Sequence, residues 1–226
     1  MSILCVICAR TNSKGLKNKN FLKINGKDLI NYTIDLAIKS KFFKTIVISI
    51  DKKKPILEKY KSKILFIKRP KKLAKDSSKK VDAIRHAVKQ TELTTGENYD
   101  YIYDLDVTSP LRHLSDIKNS FKKFKKENAS NLITVTPSRK NPYFNVVEEK
   151  NRKIKLVKKE KKAIHNRQKA PKTYDMNASI YIWKKNFLFK TYNLFNKETS
   201  MYVMPPERSI DIDSDFDFKL VKYLLK

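Results

Sequence analysis

Ile3 to Ala9 reads ILCVICA, an unbroken apolar run rich in β-formers. A run of this kind predicts a strand covered on both faces. It ends in a polar loop from Arg10 to Gly15. Asp28 to Ser40 follows as a helix, with Leu29, Tyr32, Ile34, Leu36 and Ala37 on one side. Further strands are predicted at Thr45 to Ile50, Ile64 to Ile67, Tyr99 to Leu105 and Leu132 to Thr136. Helices are predicted between them. One covers Ser77 to Gln90, capped by Asp76 or Ser77, with Val81, Ile84, His86 and Val88 inward. The other covers Leu114 to Lys126, with Ile117, Phe121 and Phe124 on its apolar stripe. Strands alternating with helices predict an α/β fold with a mostly parallel, Rossmann-like sheet. Past residue 137 the pattern changes. Tyr143 to Glu149 and Lys153 to Lys158 alternate about a polar turn, predicting a hairpin. Ser179 to Trp183 returns as a core strand, and Ser214 to Leu225 closes the chain as a helix. No internal repeat is visible. The expected organisation is a single domain over 1–226, with a hairpin lobe inserted at about 138–175.

Composition changes this picture mainly through charge. The 226 residues carry 51 Lys and Arg against 23 Asp and Glu, a formal net charge of +28. Such an excess suits nucleic acid or anionic small molecules, but the lysines are spread along the whole chain. That dispersion favours a solvated basic surface over a nucleic-acid-binding face. Cys5 and Cys8 stand at i and i+3 of a predicted strand, so they point to opposite faces and read as small core residues. The three histidines lack metal-ligand spacing. No apolar run approaches the roughly 18 residues of a membrane helix. The N-terminus has no basic stretch before its apolar segment, so no signal peptide and a cytoplasmic setting are expected.

Four segments carry candidate chemistry. The loop after the first strand, with Arg10, Ser13, Lys14, Gly15, Lys19 and Asn20, lies where open parallel sheets bind ligands. Its cations and backbone N–H groups suit phosphate oxygens. It matches neither GxxxxGK[ST] nor GxGxxG. Asp104 to Arg112 (DLDVTSPLR) places Asp106, Thr108, Ser109 and Arg112 just past another strand. Ser209 to Asp217 (SIDIDSDFD) is an acidic knot in a basic chain. As an extended segment it turns Asp211, Asp213 and Asp215 to one side, a pattern that suits Mg²⁺. Asp213 or Ser214 also suits the N-cap of the last helix. Finally, 165–177 holds Arg167, Gln168, Tyr174 and Asn177, groups suited to a polyhydroxy acid.

Taken together, these segments resemble the acylneuraminate cytidylyltransferase family, the CMP-sialic acid synthetases. ICARTNSKGLKNKN, KRPKKLAKD, LDVTSPLR, RQKAPKTYDMNASIYI and SIDIDSDFDF match five family motifs in order along nearly the whole chain. The resemblance implies that Arg10, Ser13, Lys14 and Asn20 hold the CTP phosphates and part of the nucleotide, and that Arg69 reaches the cytosine. It implies Mg²⁺ (or Mn²⁺) on Asp211 and Asp213 with Asp106. Arg10, Lys14 and Asp211 would be the catalytic groups. Thr108, Ser109 and Arg112 would border nucleotide and sugar, and Arg167, Gln168, Tyr174 and Asn177 would face the sugar acid. The hairpin lobe would mediate a homodimer. Sialate members usually carry glutamine where this chain has Asp106, proline where it has Cys8, and often lysine within Asn141 to Asn145. ARTNSKG, LDVTSPLR, RKNPYFNVVE and YDMNASIYI look closer to the bacterial members that activate legionaminic acid or related nonulosonic acids.

The expected reaction is CMP transfer from CTP to a nonulosonic acid with release of pyrophosphate. A nucleotidyltransferase using another base or sugar phosphate is one alternative. A basic nucleic-acid-binding protein is another, disfavoured by the acidic knot.

Overall fold

The apolar run near the N-terminus forms an interior strand of a seven-stranded sheet. The computed structural model describes all residues except 12–15, 53–54, 161–163 and 165, together with the side chains of 55 and 56. In chain order the elements are β1 (Ile3–Ala9), β2 (Lys23–Ile24), β3 (Lys27–Asp28), α1 (Leu29–Ser40), β4 (Thr45–Ile50), β5 (Leu65–Lys68) and α2 (Lys80–Thr95). These are followed by β6 (Tyr101–Leu105), α3 (Leu114–Lys126), β7 (Asn131–Pro137), β8 (Val147–Lys150), β9 (Lys153–Leu156), β10 (Tyr174–Lys184), α4 (Lys185–Lys190), β11 (Thr199–Val203) and α5 (Asp215–Leu224). The main sheet runs β11-β7-β10-β6-β1-β4-β5. β5, β4, β1 and β6 are mutually parallel, β10 is antiparallel to both β6 and β7, and β11 is parallel to β7.

Strand β1 is apolar on both sides because both faces of the sheet are covered. Cys5 and Ile7 pack into a core shared with α1 and α3, including Ile34, Ile117, Phe121 and Phe124. Leu4 and Val6 face a second core with Ile84, Ala87 and Val88 of α2 and Trp183 of β10. Burial at roughly 25 cal/mol per Å² of apolar surface drives this arrangement. Strands β1 and β4 and helix α3 keep the bounds predicted for them. Helix α2 differs. It starts at Lys80 and runs on to Thr95, where Gly96 takes a left-handed φ of 69° and donates its N–H to Glu92 O. Neither expected residue caps it. Asp76 pairs with Arg10, Ser77 is exposed, and the N-cap position falls at Lys79. His86 is only half-buried, while Ala83, Ala87 and Thr91 fill the inward side.

Three features position the site. Strand β10 is longer than predicted and shifts register between Met176 and Tyr181, with Ala178 in a left-handed conformation (φ 51°). Such a bulge re-aims side chains next to a cavity, and a non-glycine residue there costs about 1–2 kcal/mol. The hairpin strands β8 and β9 are shorter than expected and pair through a turn at Asn151 and Arg152, both with positive φ. That is the geometry of a twisted two-residue hairpin turn. Edge strand β11 and helix α4 were not predicted. No helix among the described residues is long and apolar enough to cross a membrane.

Candidate active site

The carboxyl ends of β1, β5 and β6 open onto one polar cleft of about 410 Å³. Its walls include Arg10, Lys19, Asn20, Arg69, Asp76, Lys80, Asp106, Thr108, Asp211 and Asp213. Arg10 leaves the end of β1, and its Nη1 lies 2.6 Å from Asp76 Oδ1. Asn20 Nδ2 donates to Arg10 O at 3.0 Å and braces that loop from behind. Thr11 donates its backbone N–H and hydroxyl to Asp51 at the end of β4, at 2.8 and 2.7 Å. Arg69 follows β5 and is buried. Its Nε donates to Ser49 Oγ at 3.0 Å and its Nη2 to Ser49 O at 2.8 Å.

Asp106 sits just past β6. Its Oδ1 accepts from the Thr108 backbone N–H at 3.0 Å and hydroxyl at 2.8 Å, and Oδ2 lies 2.5 Å from Lys80 Nζ. The same ammonium lies 2.6 Å from Oδ2 of Asp104, which is fully buried. Burial opposes ionisation of Asp106, but Lys80 and the Thr108 donors win, holding its carboxyl far below the usual range. Burial pushes Asp104 upward against the pull of Lys80. Lys80 is itself held protonated: burial lowers it, and the two carboxylates more than compensate.

The acidic segment reaches the cleft from the C-terminal side. Ile212 N–H donates to Thr108 O at 3.0 Å, tying this segment to the loop after β6. Asp211 is half-buried, and its Oδ1 is buried with no hydrogen-bond donor among the described residues. Burial, then the charge of Asp106, raises its carboxyl to about 6. Asp213 is largely exposed and pairs with Lys19 at 2.6 Å. Asp215 does not join them. The extended stretch ends at Ser214, which caps α5 by accepting from the Asp217 N–H, and Asp215 pairs with Lys219 on the first turn of that helix. Among the described residues no group of three His, Cys, Asp or Glu side chains is gathered closely enough to hold a metal ion.

Several predicted residues stand apart from the cleft. Ser109 and Arg112 are buried behind it. Arg112 donates through Nε to Ser109 O at 3.1 Å and through Nη2 to Thr33 Oγ1 at 3.2 Å. It also bonds the carbonyls of Asp106 and Ser179. Its donors thus lace the loop after β6 to β10. Asn177, also buried, bonds Ser209 Oγ and the Ser179 N–H. Arg167 and Gln168 are exposed and Tyr174 is half-buried, and none of them lines the cleft; Arg167 Nη2 donates to Ser138 O at 2.9 Å. Ser13, Lys14 and His165 lie outside the described residues. Cys8 lines the cleft instead of sinking fully into the core, and burial raises its thiol to about 11.

Sequence reasoning missed Lys80 and the second cavity it borders, of about 230 Å³. Lys80 and Asp106 line both spaces. Beyond them the second cavity is bounded by Asp104, Tyr181, Trp183, Phe187, Leu188 and the 191–194 segment. Tyr181 and Trp183, two apart on β10, stack with ring centroids 5.5 Å apart. Their spacing was a usable signal, since i and i+2 share a strand face. Nothing distinguished Lys80 among so many lysines.

A polar cleft and an aromatic-walled cavity thus lie side by side, with Lys80 and Asp106 shared between them. Residues 4–223 match the cytidylyltransferase family model, and the chain belongs to that family. It is 43% identical over 226 residues to the post-translational flagellin modification protein B of Campylobacter coli, covering 99% of this chain and 95% of the relative. It is 44% identical over 225 residues to the CMP-N,N'-diacetyllegionaminic acid synthase of Campylobacter jejuni, covering 99% and 94%. Among solved structures it resembles a CMP:2-keto-3-deoxy-manno-octonic acid synthetase complexed with CTP. That likeness has a TM-score of 0.69 at 14% identity, covers 100% and 98% of the two chains, and bears on the fold alone.

Proposed function

We propose that this chain transfers CMP from CTP to the anomeric hydroxyl of a nonulosonic acid of the legionaminic type, releasing pyrophosphate, and that it does so with Mg²⁺ or Mn²⁺. The juxtaposition of Arg10, Asp106 and Asp211 in one cleft, with an aromatic cavity across Lys80, carries this reading. The 44% identity to a CMP-N,N'-diacetyllegionaminic acid synthase supports the acceptor class.

In this reading the triphosphate lies along the carboxyl edge. Arg10 faces the leaving pyrophosphate and offsets its growing charge. Arg69 and Asn20 hold the rest of the nucleotide. The acceptor sits in the second cavity, and its anomeric oxygen forms a bond to the α-phosphorus as the bond to the β-phosphate bridge breaks. The departing pyrophosphate carries the electron pair, and the hydroxyl proton passes to solvent or a cleft carboxylate. Catalysis then consists of positioning and charge neutralisation.

The donor set fits a hard divalent cation. Asp211 presents a buried oxygen without a donor, and Asp213 stands two residues away. Mg²⁺ takes one or two carboxylates and completes its shell with phosphates and water, so a two-carboxylate site suffices. Both oxygens of Asp106 are already engaged by Lys80 and Thr108, which favours Asp211 for the principal role in this reading. When bound, the ion neutralises phosphate charge and lowers the pKa of the attacking hydroxyl. Ser109, Arg112 and Asn177 act from behind by fixing the loops. Arg167, Gln168 and Tyr174, remote from both cavities, would serve the site of a second protomer in a homodimer built on the β8–β9 hairpin.

The test is pyrophosphate release with CTP, UTP or GTP against legionaminate, pseudaminate and N-acetylneuraminate, with and without Mg²⁺. Release that needs CTP, a nonulosonic acid and the cation together supports the proposal. Release with a sugar phosphate, with another nucleotide, or without a nonulosonic acid contradicts it.

A further inference from the structure

One guanidinium outside the polar cleft holds the wall of the second cavity. Arg85 lies on α2, five residues beyond Lys80, and its side chain is only 13% exposed. Its Nε donates to Leu188 O and its Nη2 to Thr191 O, both at 2.7 Å. Its guanidinium carbon lies 4.0 Å from the centroid of the Tyr192 ring, and Lys79 Nζ lies 4.6 Å from the same centroid. Leu188, Thr191 and Tyr192 all line the cavity. The far end of this segment is fastened separately, by Asn131 Nδ2 donating to Leu194 O at 2.7 Å. Past the end of α4, from Thr191 to Leu194, the chain runs without helix or strand hydrogen bonding. Tyr192 as a whole is 58% exposed, so little burial holds it in place.

We infer that Arg85 is a positioning residue for the acceptor. It clamps the 188–192 segment against α2 and so sets the width of the cavity that selects the sugar acid. The inference rests on the acceptor reading of that cavity under Proposed function. A planar fork that bonds two carbonyls and stacks on a ring is not replaceable by an ammonium. Lysine at 85 therefore loses most of the clamp while keeping the charge.

Trp183 is the only tryptophan in the chain and lines the same cavity, so its fluorescence reports on the wall directly. The experiment compares wild type, Arg85→Lys and Arg85→Ala in acrylamide quenching of the unliganded protein, and in KM for CTP and for N,N'-diacetyllegionaminate. Both variants are expected to quench more readily than wild type. KM for the acceptor should rise about 10-fold in Arg85→Ala and about 3-fold or more in Arg85→Lys, with KM for CTP within about twofold. Unchanged quenching, or equal rises in both KM values, overturns the clamp. If Arg85→Ala does not fold, the lysine variant decides. A wild type that turns over no nonulosonic acid refutes the acceptor reading instead, and the quenching comparison still decides whether Arg85 holds the wall.

Discussion

The two spaces on either side of Lys80 are built on different physics. The cleft at the carboxyl edge is lined by charges of both signs, and several are already satisfied: Arg10 by Asp76, Lys19 by Asp213, Asp106 by Lys80. The second cavity is bounded mainly by rings and aliphatic side chains, with Thr191 and Asn193 as neutral polar groups and charge only along the Lys80 border. Rigid, prepaired charges suit a ligand whose phosphates are always present, because little reorganisation accompanies binding. An aromatic wall discriminates by shape, and one methylene more or less in such a pocket is worth about 1–3 kcal/mol. Under the proposed function, nucleotide binding therefore depends on individual charges, and acceptor binding depends on how the cavity wall is held.

The sharpest way to break this contrast is to remove a charge from the cleft. Asp211→Ala is expected to lower kcat by about 10²-fold or more. Mn²⁺ affinity, read by electron paramagnetic resonance, should fall in parallel. Arg10→Ala should cost a similar factor in the same assay, and near-wild-type turnover in either variant argues against the charge-based half of the contrast. Next in size is Lys80→Ala, which leaves the buried Asp104 without its cation. Removing one partner of a buried pair costs about 3–5 kcal/mol. Lys80 is 39% exposed, so solvent screening reduces the loss to about 1–3 kcal/mol in denaturant unfolding. Adding Asp104→Asn should recover part of it.

A pH experiment sharpens the comparison further. Asp211 titrates near 6 in the fold against 3.8 for a free carboxyl, because burial and then Asp106 disfavour its charge. The folded state therefore binds the proton more tightly than the unfolded chain. This stabilising contribution is present at low pH and is lost as pH rises from about 4 through 6. Asp211→Asn should accordingly stabilise the metal-free protein at pH 7 by about 1–3 kcal/mol, and the gain should fade below about pH 4. A gain that grows with acid would contradict the assigned environment. The smallest effect expected is Ser214→Ala, which removes the cap of α5 at a cost of about 1 kcal/mol, read as a lower unfolding midpoint without change in KM for the acceptor.

Much of this was legible before any coordinates. The ILCVICA run and its alternation with amphipathic helices set the parallel sheet, and the carboxyl-edge rule located the loops that meet in the cleft. Arg10, Asn20, Arg69, Asp106, Thr108, Asp211 and Asp213 came from four distant segments and share one space. The illegible parts have physical causes. Asp215 was misplaced because a strand period was extended past a capping serine. The short TSMYV strand at the sheet edge carries too few residues to show its alternation. Arg112 looked like a ligand group because residue type alone does not reveal that its donors are taken by backbone carbonyls. Lys80 and Arg85 were invisible against a lysine-rich background, since their roles arise from what α2 packs against.

The most direct test of the central claim is a crystal structure with CTP and Mn²⁺, recorded at the manganese absorption edge. The expected result is an anomalous peak within coordination distance of an Asp211 oxygen, with the triphosphate running past Arg10 and the cytosine toward Arg69. A triphosphate bound away from the carboxyl edge, or a peak with no Asp211 oxygen in its shell, would contradict it.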